Sequence, residues 1–144
     1  MSMLLVLAVL AAEPAGCPAE LFRIERSKNA NVVLYEAQTT PSGELKADEP
    51  LTASWLLLAD GGKREALSFF ERRLAYGFDV NAVKDGLEVS LKALAQRLVF
   101  VRRHGSCFAA LSTIGGRSAI LRRIYVKTDE TSVVPDVLSV ELFG

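Results

Sequence analysis

The fold class follows from the stretch LEVSLKA at residues 87–93, in which apolar and polar side chains alternate without interruption. Successive side chains of a β-strand point to opposite faces, so this alternation predicts a half-buried strand. The pair Asp85-Gly86 stands directly before it and is favoured in hairpin turns that require positive φ. The preceding run, residues 78–83, is therefore predicted to pair with it as a β-hairpin.

Outward from this hairpin, most of the chain consists of runs of about 5–10 residues rich in Val, Leu, Ile, Phe and Tyr and separated by turn residues. Strands are predicted at residues 21–25, 32–37, 51–59, 78–83, 87–93, 98–103, 106–114, 118–127 and 137–143. So many strands must fold back on one another to bury their apolar faces and protect their edges. The sequence predicts a mainly β (α+β) domain, an antiparallel β-barrel or β-sandwich with one helix packed against it.

That helix is predicted at residues 63–76. The apolar residues that recur there at helical spacing are Ala66, Leu67, Phe70 and Leu74. Arg72 and Arg73 stand near its C-terminal end, where the helix dipole favours cations, and Gly77 is placed for a left-handed cap. A second exception to the strand pattern is the polar excursion at residues 39–50, which we predict to be a mobile loop or a flap.

The N-terminus predicts export. Residues 3–12 read MLLVLAVLAA without a charge, and a membrane-spanning helix would need roughly 20 apolar residues. The small residues near its end fit a cleavage site, and Glu13-Pro14 then breaks any helix. We predict a signal peptide at 1–12, a linker at 13–20 and a single β-rich domain at 21–144, periplasmic or secreted and without a transmembrane helix. The alternative is a buried N-terminal helix or strand, because no Lys or Arg precedes the apolar run.

The two cysteines, Cys17 and Cys107, have several alternative fates. In an oxidising compartment they can form a disulfide. Cys107 lies in an apolar run and can equally be a small buried hydrophobe. Cys17 follows the small residues Ala15 and Gly16, as does the lipidated cysteine of a lipoprotein, so a lipid anchor is the alternative localisation.

Charge and motif content narrow the function classes. Seventeen Lys plus Arg balance seventeen Asp plus Glu, so no bulk field attracts nucleic acid or an anionic membrane. Phosphate-binding glycine loops, nucleophile elbows and metal-spaced His/Cys clusters are absent from the sequence. The one histidine, His104, is predicted at a solvated hairpin tip, on the opposite strand face from Cys107. We expect no cofactor, no metal and no nucleic-acid partner.

The candidate ligand-binding residues begin with the connection between the first two strands, residues 26–31, which reads RSKNAN. Arg26, Lys28 and Asn29, together with backbone N–H groups, are suited to binding an anion. The alternative is that Asn and Ser only shape a tight turn while the cations stay solvated.

Arg122 is a further candidate, because it shares one side of the predicted strand 118–127 with apolar residues. If that side is the core, the buried arginine must be paired, so we predict an ion pair with Glu71 or Glu36 or an anion site. The third alternative is that this face is solvated. The remaining candidates lie at the predicted helix end: Arg72, and Tyr76 with its hydroxyl turned toward the polar turn.

Three stretches, residues 21–35, 50–55 and 71–77, resemble the bacterial exported proteins grouped as domain-of-unknown-function family 4833. The likeness extends to residues 124–126 and 140–144 and so covers nearly all of the mature chain. Its most specific pieces are RSKN at 26–29 and RRLAYG at 72–77. The resemblance implies export, one compact domain and a link between these two pieces, but it implies no activity.

We therefore predict a non-enzymatic exported β domain that binds a small anionic or amphipathic ligand or a cell-envelope partner. One alternative is an envelope-associated hydrolase in which a carboxylate, Glu71 or Glu36, works with Arg26, Lys28 and Tyr76. The other is a structural or assembly protein that associates through an exposed sheet edge. Oligomeric state does not follow from the sequence.

Overall fold

The computed structural model describes residues 16–92, 98–129 and 136–143 and is mostly β within them, which confirms the mainly β part of the predicted class. The strands are β1 (Glu20–Arg26), β2 (Asn29–Ala37), β3 (Leu51–Leu57), β4 (Lys63–Ala66), β5 (Phe78–Val83), β6 (Gly86–Leu91), β7 (Leu98–His104), β8 (Cys107–Ile114), β9 (Arg117–Ile120), β10 (Arg123–Asp129) and β11 (Asp136–Phe143). The predicted signal peptide at residues 1–12 lies outside the described residues.

The strands form two open sheets. Sheet A has the order β11-β10-β1-β2-β3-β4, and sheet B has the order β5-β6-β7-β8-β9. The described pairs are antiparallel except for β1 and β10, which run parallel with Ile24 opposite Ile124. Within the described residues neither sheet closes on itself, so of the two predicted alternatives the open sheets favour the sandwich over the barrel.

One hydrophobic core joins the two sheets. Buried side chains of β1 and β2 in sheet A and of β6 and β7 in sheet B belong to a single cluster. Within it, the Phe22 and Tyr35 rings stack with centroids 4.6 Å apart, and Tyr35 meets Phe78 of sheet B edge-to-face at 5.9 Å. Two sheets that share a core in this way form the layers of a β-sandwich.

The β-hairpin predicted from residues 78–83 and 87–93 is confirmed. β5 and β6 pair with Val83 opposite Gly86, so Lys84 and Asp85 form the turn, and Asp85 has a φ of 65°. The side chains of β6 that reach the core are Leu87, Val89 and Leu91. Gly86 is required for a different reason, because a Cβ there would lie 1.9 Å from the carbonyl oxygen of Val101.

The helix predicted at residues 63–76 is wrong. Its first residues form β4, an edge strand paired with β3, because the glycines at 61–62 have positive φ and turn the chain back. Within this segment, helical structure is confined to a short turn, which is π-helical at Glu71–Ala75. A 3-10 helix at Leu58–Asp60 precedes β4. Phe70, predicted to face the core, is instead 70% exposed.

Gly77 also does not form the predicted left-handed cap. Its φ is not positive, and a Cβ at this position would lie 1.7 Å from the carbonyl oxygen of Arg72. Glycine is needed here because the backbone of the helical turn approaches too closely for any side chain.

The strand predicted at residues 118–127 is two strands in different sheets. The chain leaves sheet B after β9, and Leu121, fully buried, donates its N–H to the Ala110 carbonyl at 2.7 Å. The next carbonyl, of Arg122, accepts from Arg23 of sheet A at 3.1 Å. The Arg122 side chain is exposed, which matches the solvated alternative and not the buried ones, and the core position belongs to Leu121.

Among the residues that the structure describes, no helix is long and apolar enough to cross a membrane.

Candidate functional site

The predicted link between the turn at 26–29 and the chain around Tyr76 is confirmed. Arg26 donates from Nη1 to the Tyr76 hydroxyl at 3.2 Å, and the buried Tyr35 hydroxyl donates to the Tyr76 carbonyl at 2.7 Å. Trp55 meets the Tyr76 ring edge-to-face at 5.3 Å. These residues, together with Glu71, are called the tyrosine cluster below.

Glu71 completes this cluster as a cap. Its Oε1 accepts from the Ser68 N–H at 2.7 Å, and its own N–H donates to the Ser68 hydroxyl at 3.2 Å. This is the capping box that Ser and Glu three residues apart form at a helix start. Partial burial raises the pKa of the Glu71 carboxyl, but hydrogen bonds from the Ser68 backbone, Trp55 and the Ser68 hydroxyl outweigh it and lower the pKa overall.

The polar groups of the tyrosine cluster are hydrogen-bonded within the protein. The Tyr76 side chain is 5% exposed, and burial raises the pKa of the Tyr35 hydroxyl far above its ordinary range. A phenol of this kind stays neutral and serves as a hydrogen-bond donor. The contacts are those of a satisfied structural network, and little of it faces solvent.

The other candidate residues near the cluster do not join it. Lys28 is exposed at a φ of 62°, and the Asn29 side chain accepts from the Asn31 N–H at 2.9 Å, which shapes the turn. Arg72 is exposed and lines a separate cleft of about 220 Å³ that also reaches Tyr76. Arg122 is exposed at the crossing between the two sheets.

The carboxylates proposed for pairing with Arg122 are engaged elsewhere. Glu36 forms a salt bridge with Arg64 of β4, and Glu71 serves as the cap described above. The predicted ion pair between Arg122 and either carboxylate is therefore wrong.

A cavity formed by the described residues lies under residues 39–50, which are called the flap below. The flap is held by internal hydrogen bonds: Thr40 N–H donates to the Glu44 carbonyl at 2.7 Å and Lys46 N–H to the Gln38 carbonyl at 2.9 Å. A bridge between Thr39 and Leu45 continues this pairing. Of the two alternatives predicted from sequence, this internal pairing favours the flap.

Arg103 of β7 connects the flap to sheet B. Its Nη2 donates to the Gly43 carbonyl at 2.9 Å and lies 3.5 Å from a carboxylate oxygen of Glu44. Its guanidinium also stands 4.6 Å from the centre of the Phe108 ring. Cation–π contact and hydrogen bonding together fix the tip of the flap against this sheet.

The cavity between the flap and sheet B has a volume of about 780 Å³ and is called the flap groove below. Its apolar lining includes Leu45, Pro50, Val80, Ala82, Leu87 and Phe108, and its charged lining includes Glu44, Lys46, Asp48, Asp85, Arg102 and Arg103. Neither Lys46 nor Arg102 forms an ion pair within the described part of the chain. Arg102 also lines a neighbouring cavity of about 280 Å³ together with Phe100, and its guanidinium stands 5.1 Å from the centre of that ring.

Cys17 and Cys107 form a disulfide next to this groove, with their Cα atoms 5.4 Å apart. The bridge joins the N-terminal segment to the β7–β8 hairpin, and both cysteines line a second cavity of about 320 Å³ that shares Arg103 and Phe108 with the groove. Cys107 is therefore not a free thiol here. The bridge uses the Cys17 Sγ, the same sulfur that a lipid anchor would require.

His104 and Cys107 are opposite each other across the β7–β8 hairpin. Directly opposed residues of an antiparallel pair share a face, so the prediction that they point apart is wrong. His104 is exposed, and Cys107 carries no thiol to pair with it. The described residues contain no group of three or more His, Cys, Asp and Glu side chains arranged to hold a metal ion.

Sequence reasoning missed the flap groove, although both of its parts were visible as single segments. The flap is visible in the sequence as a polar excursion, and the predicted strand 98–103 ends at a solvated hairpin tip. The signal that relates them is non-local, because the flap follows β2 of sheet A but closes on β7 of sheet B.

The fold and the groove together define a mostly β, sandwich-like domain with a flap over one side. A family model described as "Domain of unknown function (DUF4833)" matches residues 22–144, so the chain belongs to this family. The suspected family membership is confirmed. No curated protein and no solved structure matches the chain.

Proposed function

We propose that this protein is an exported, non-enzymatic binding domain whose flap groove takes a small amphipathic molecule with one anionic group. The observation that carries the proposal is the position of Arg102 and Lys46, two cations without an ion-pair partner among the described residues, in a groove that also has an apolar lining. A volume of about 780 Å³ lies in the range of small-molecule sites.

The lining also constrains the ligand. Arg103 balances Glu44, but Asp48 and Asp85 keep their negative charge in the groove. A ligand that carries several negative charges would be repelled by these two carboxylates. We therefore expect a ligand whose apolar part contacts Val80 and Phe108 and whose single anionic group faces Arg102. Such a ligand matches the apolar lining and the cation without bringing further negative charge to Asp48 and Asp85.

Export of the chain is part of this proposal, with residues 1–12 as the signal peptide and a periplasmic or secreted mature domain. The disulfide supports it, because such bridges persist in oxidising compartments. A lipid anchor on Cys17 stays an alternative only for a form in which the bridge is absent.

The contacts give the hydrolase alternative little support. Glu71 is occupied as a cap with a lowered pKa, whereas a general acid needs a raised one. Glu36 is paired with Arg64. Assembly through a sheet edge stays a prediction, and the charged residues of β4 are of the kind that protects an edge strand from pairing.

Titration with decanoate, decanol and decyltrimethylammonium, followed by calorimetry, tests the proposal. We expect decanoate to bind best and Arg102→Gln to weaken it by about ten-fold or more, because a charge-assisted hydrogen bond is lost. Arg117→Gln, an exposed arginine on β9 outside the groove, is the matched control. Equal binding of the three amphiphiles, or equal losses in both variants, would contradict the anionic specificity.

Native mass spectrometry of the protein purified from its own envelope addresses the natural ligand. We expect a bound anionic amphiphile that is lost on denaturation and depleted in Arg102→Gln. An intact mass in the same experiment gives the start of the mature chain and shows whether Cys17 carries a lipid.

A further inference from the structure

Two phenylalanines stand exposed on the helical turn after β4. Phe69 is 57% exposed and Phe70 is 70% exposed, and their rings pack edge-to-face with centroids 5.6 Å apart. Large apolar side chains normally leave solvent, so an adjacent, exposed pair marks an interaction surface. This turn, residues 69–73, is called the aromatic tip below.

The aromatic tip is also cationic, because the carboxylate of Glu71, its one acidic residue, is engaged in hydrogen bonds outside the tip. Glu71 is bound to Ser68 and Trp55, as described above, and does not neutralise its neighbours. Arg73 stands 5.2 Å from the Phe69 ring, and Arg72 is exposed. Within the described residues neither arginine forms an ion pair.

We infer that the aromatic tip docks the protein on an anionic lipid bilayer, with both phenylalanine rings in the interface and both arginines at the headgroups. Aromatic rings beside cations are the side chains that peripheral proteins place at this depth. The protein as a whole is neutral, so the attraction is local and acts only when the tip faces the membrane.

A bilayer fits these features better than a protein partner. Both rings project from a single short turn with most of their surface uncovered, and fluid lipid accepts such a tip without a matching pocket. The arginines carry the charge complementarity, since anionic headgroups attract cations close to the surface. The tip is formed by other residues than the flap groove, so this inference does not depend on the proposed ligand.

Vesicle co-sedimentation tests the inference with two lipid compositions, phosphatidylcholine alone and phosphatidylcholine with phosphatidylglycerol. We expect binding only to the anionic vesicles, weakened by added salt because the charges are exposed. The double variant F69S/F70S should lose at least about ten-fold in partitioning, because it removes two inserted rings. The double variant R72Q/R73Q should lose about ten-fold or more on anionic vesicles.

Matched controls separate the tip from general surface effects. Leu58→Ser removes an exposed apolar side chain outside the tip, which is 49% exposed, and Arg117→Gln removes an exposed cation of β9. Both should bind vesicles like the parent protein, and any contribution of the N-terminal apolar run cancels because all variants share it. Circular dichroism melts should show that the tip variants stay folded.

Two results would overturn the inference. One is equal sedimentation of parent and tip variants, or none at all, on anionic vesicles. The other is self-association in analytical ultracentrifugation that disappears in F69S/F70S while vesicle binding is absent, which would assign the tip to a protein interface instead.

Discussion

The tyrosine cluster and the flap groove both bring arginines next to aromatic rings, yet they differ in what their charges contact. In the tyrosine cluster, Arg26 donates to Tyr76 and Tyr35 donates to the Tyr76 backbone. In the flap groove, Arg102 stacks on Phe100 and leaves its charge without an acid among the described residues. A cation whose contacts are satisfied internally stabilises the fold, whereas one that is packed but unpaired is available to a ligand.

Among changes near the flap groove, we expect the largest loss of stability from the double variant C17S/C107S, which removes the disulfide. The bridge closes a loop across 90 residues, so its loss should lower the free energy of unfolding by about 4 kcal/mol. Urea unfolding measures this change. Trp55 is the only tryptophan and belongs to the tyrosine cluster, so the emission of the folded variant should match the parent. An unchanged urea midpoint would contradict the prediction.

The tyrosine cluster should be sensitive to loss of a single buried hydroxyl. Tyr35→Phe leaves the Tyr76 carbonyl without its donor and should cost about 1–3 kcal/mol of stability. Tyr125→Phe is the matched control, because its hydroxyl has no hydrogen bond among the described residues and its loss should cost little. Equal effects of the two changes on thermal unfolding would show that the cluster is not a satisfied network.

Releasing the flap should alter local opening more than global stability. Arg103→Gln removes the bond to Gly43 and the stacking on Phe108, both of which involve exposed groups. We expect a stability loss of at most about 1 kcal/mol but faster hydrogen exchange at residues 39–50. Arg102→Gln, which does not touch the flap tip, should leave that exchange unchanged, and a similar acceleration in both variants would count against Arg103 as the anchor.

The smallest expected effect is a pH dependence from the Glu71 cap. Its folded-state pKa is lowered from the ordinary 4.5, so its contribution is complete above that pH and is lost as pH falls through the lower folded-state value. Because the carboxyl is only partly buried, the contribution should be a few tenths of a kcal/mol. Glu71→Gln should therefore have a flatter stability curve below about pH 4.5 than the parent, and parallel curves would contradict this assignment.

The strands were predictable because side-chain alternation and turn chemistry are local. The β5–β6 hairpin appears where Asp85-Gly86 and the LEVSLKA stretch place it. The helix prediction at residues 63–76 was wrong because it relied on the helical spacing of apolar residues. Two local signals pointed elsewhere: the paired glycines before the segment, and the capping box of Ser68 and Glu71. The latter marks the true start of helical structure.

The remaining features depend on which distant segments meet. Residues 118–127 have the composition of one strand, and nothing local says that the chain changes sheets at Leu121. The same holds for the flap groove, whose walls come from residues 44–50 and from strands of the other sheet. By contrast, the contact between Arg26 and Tyr76 was anticipated because the family resemblance linked the two pieces that carry them.

The parallel pairing of β1 with β10 has a consequence for how the chain acquires its structure. Arg23 lies opposite Arg123, so the centre of sheet A cannot form until nearly the whole chain has left the ribosome or a translocation channel. Sheet B, in contrast, is a succession of adjacent hairpins and needs only short loops to close. Folding should therefore begin with the second half of the chain, while the N-terminal strands stay unpaired until β10 has been made.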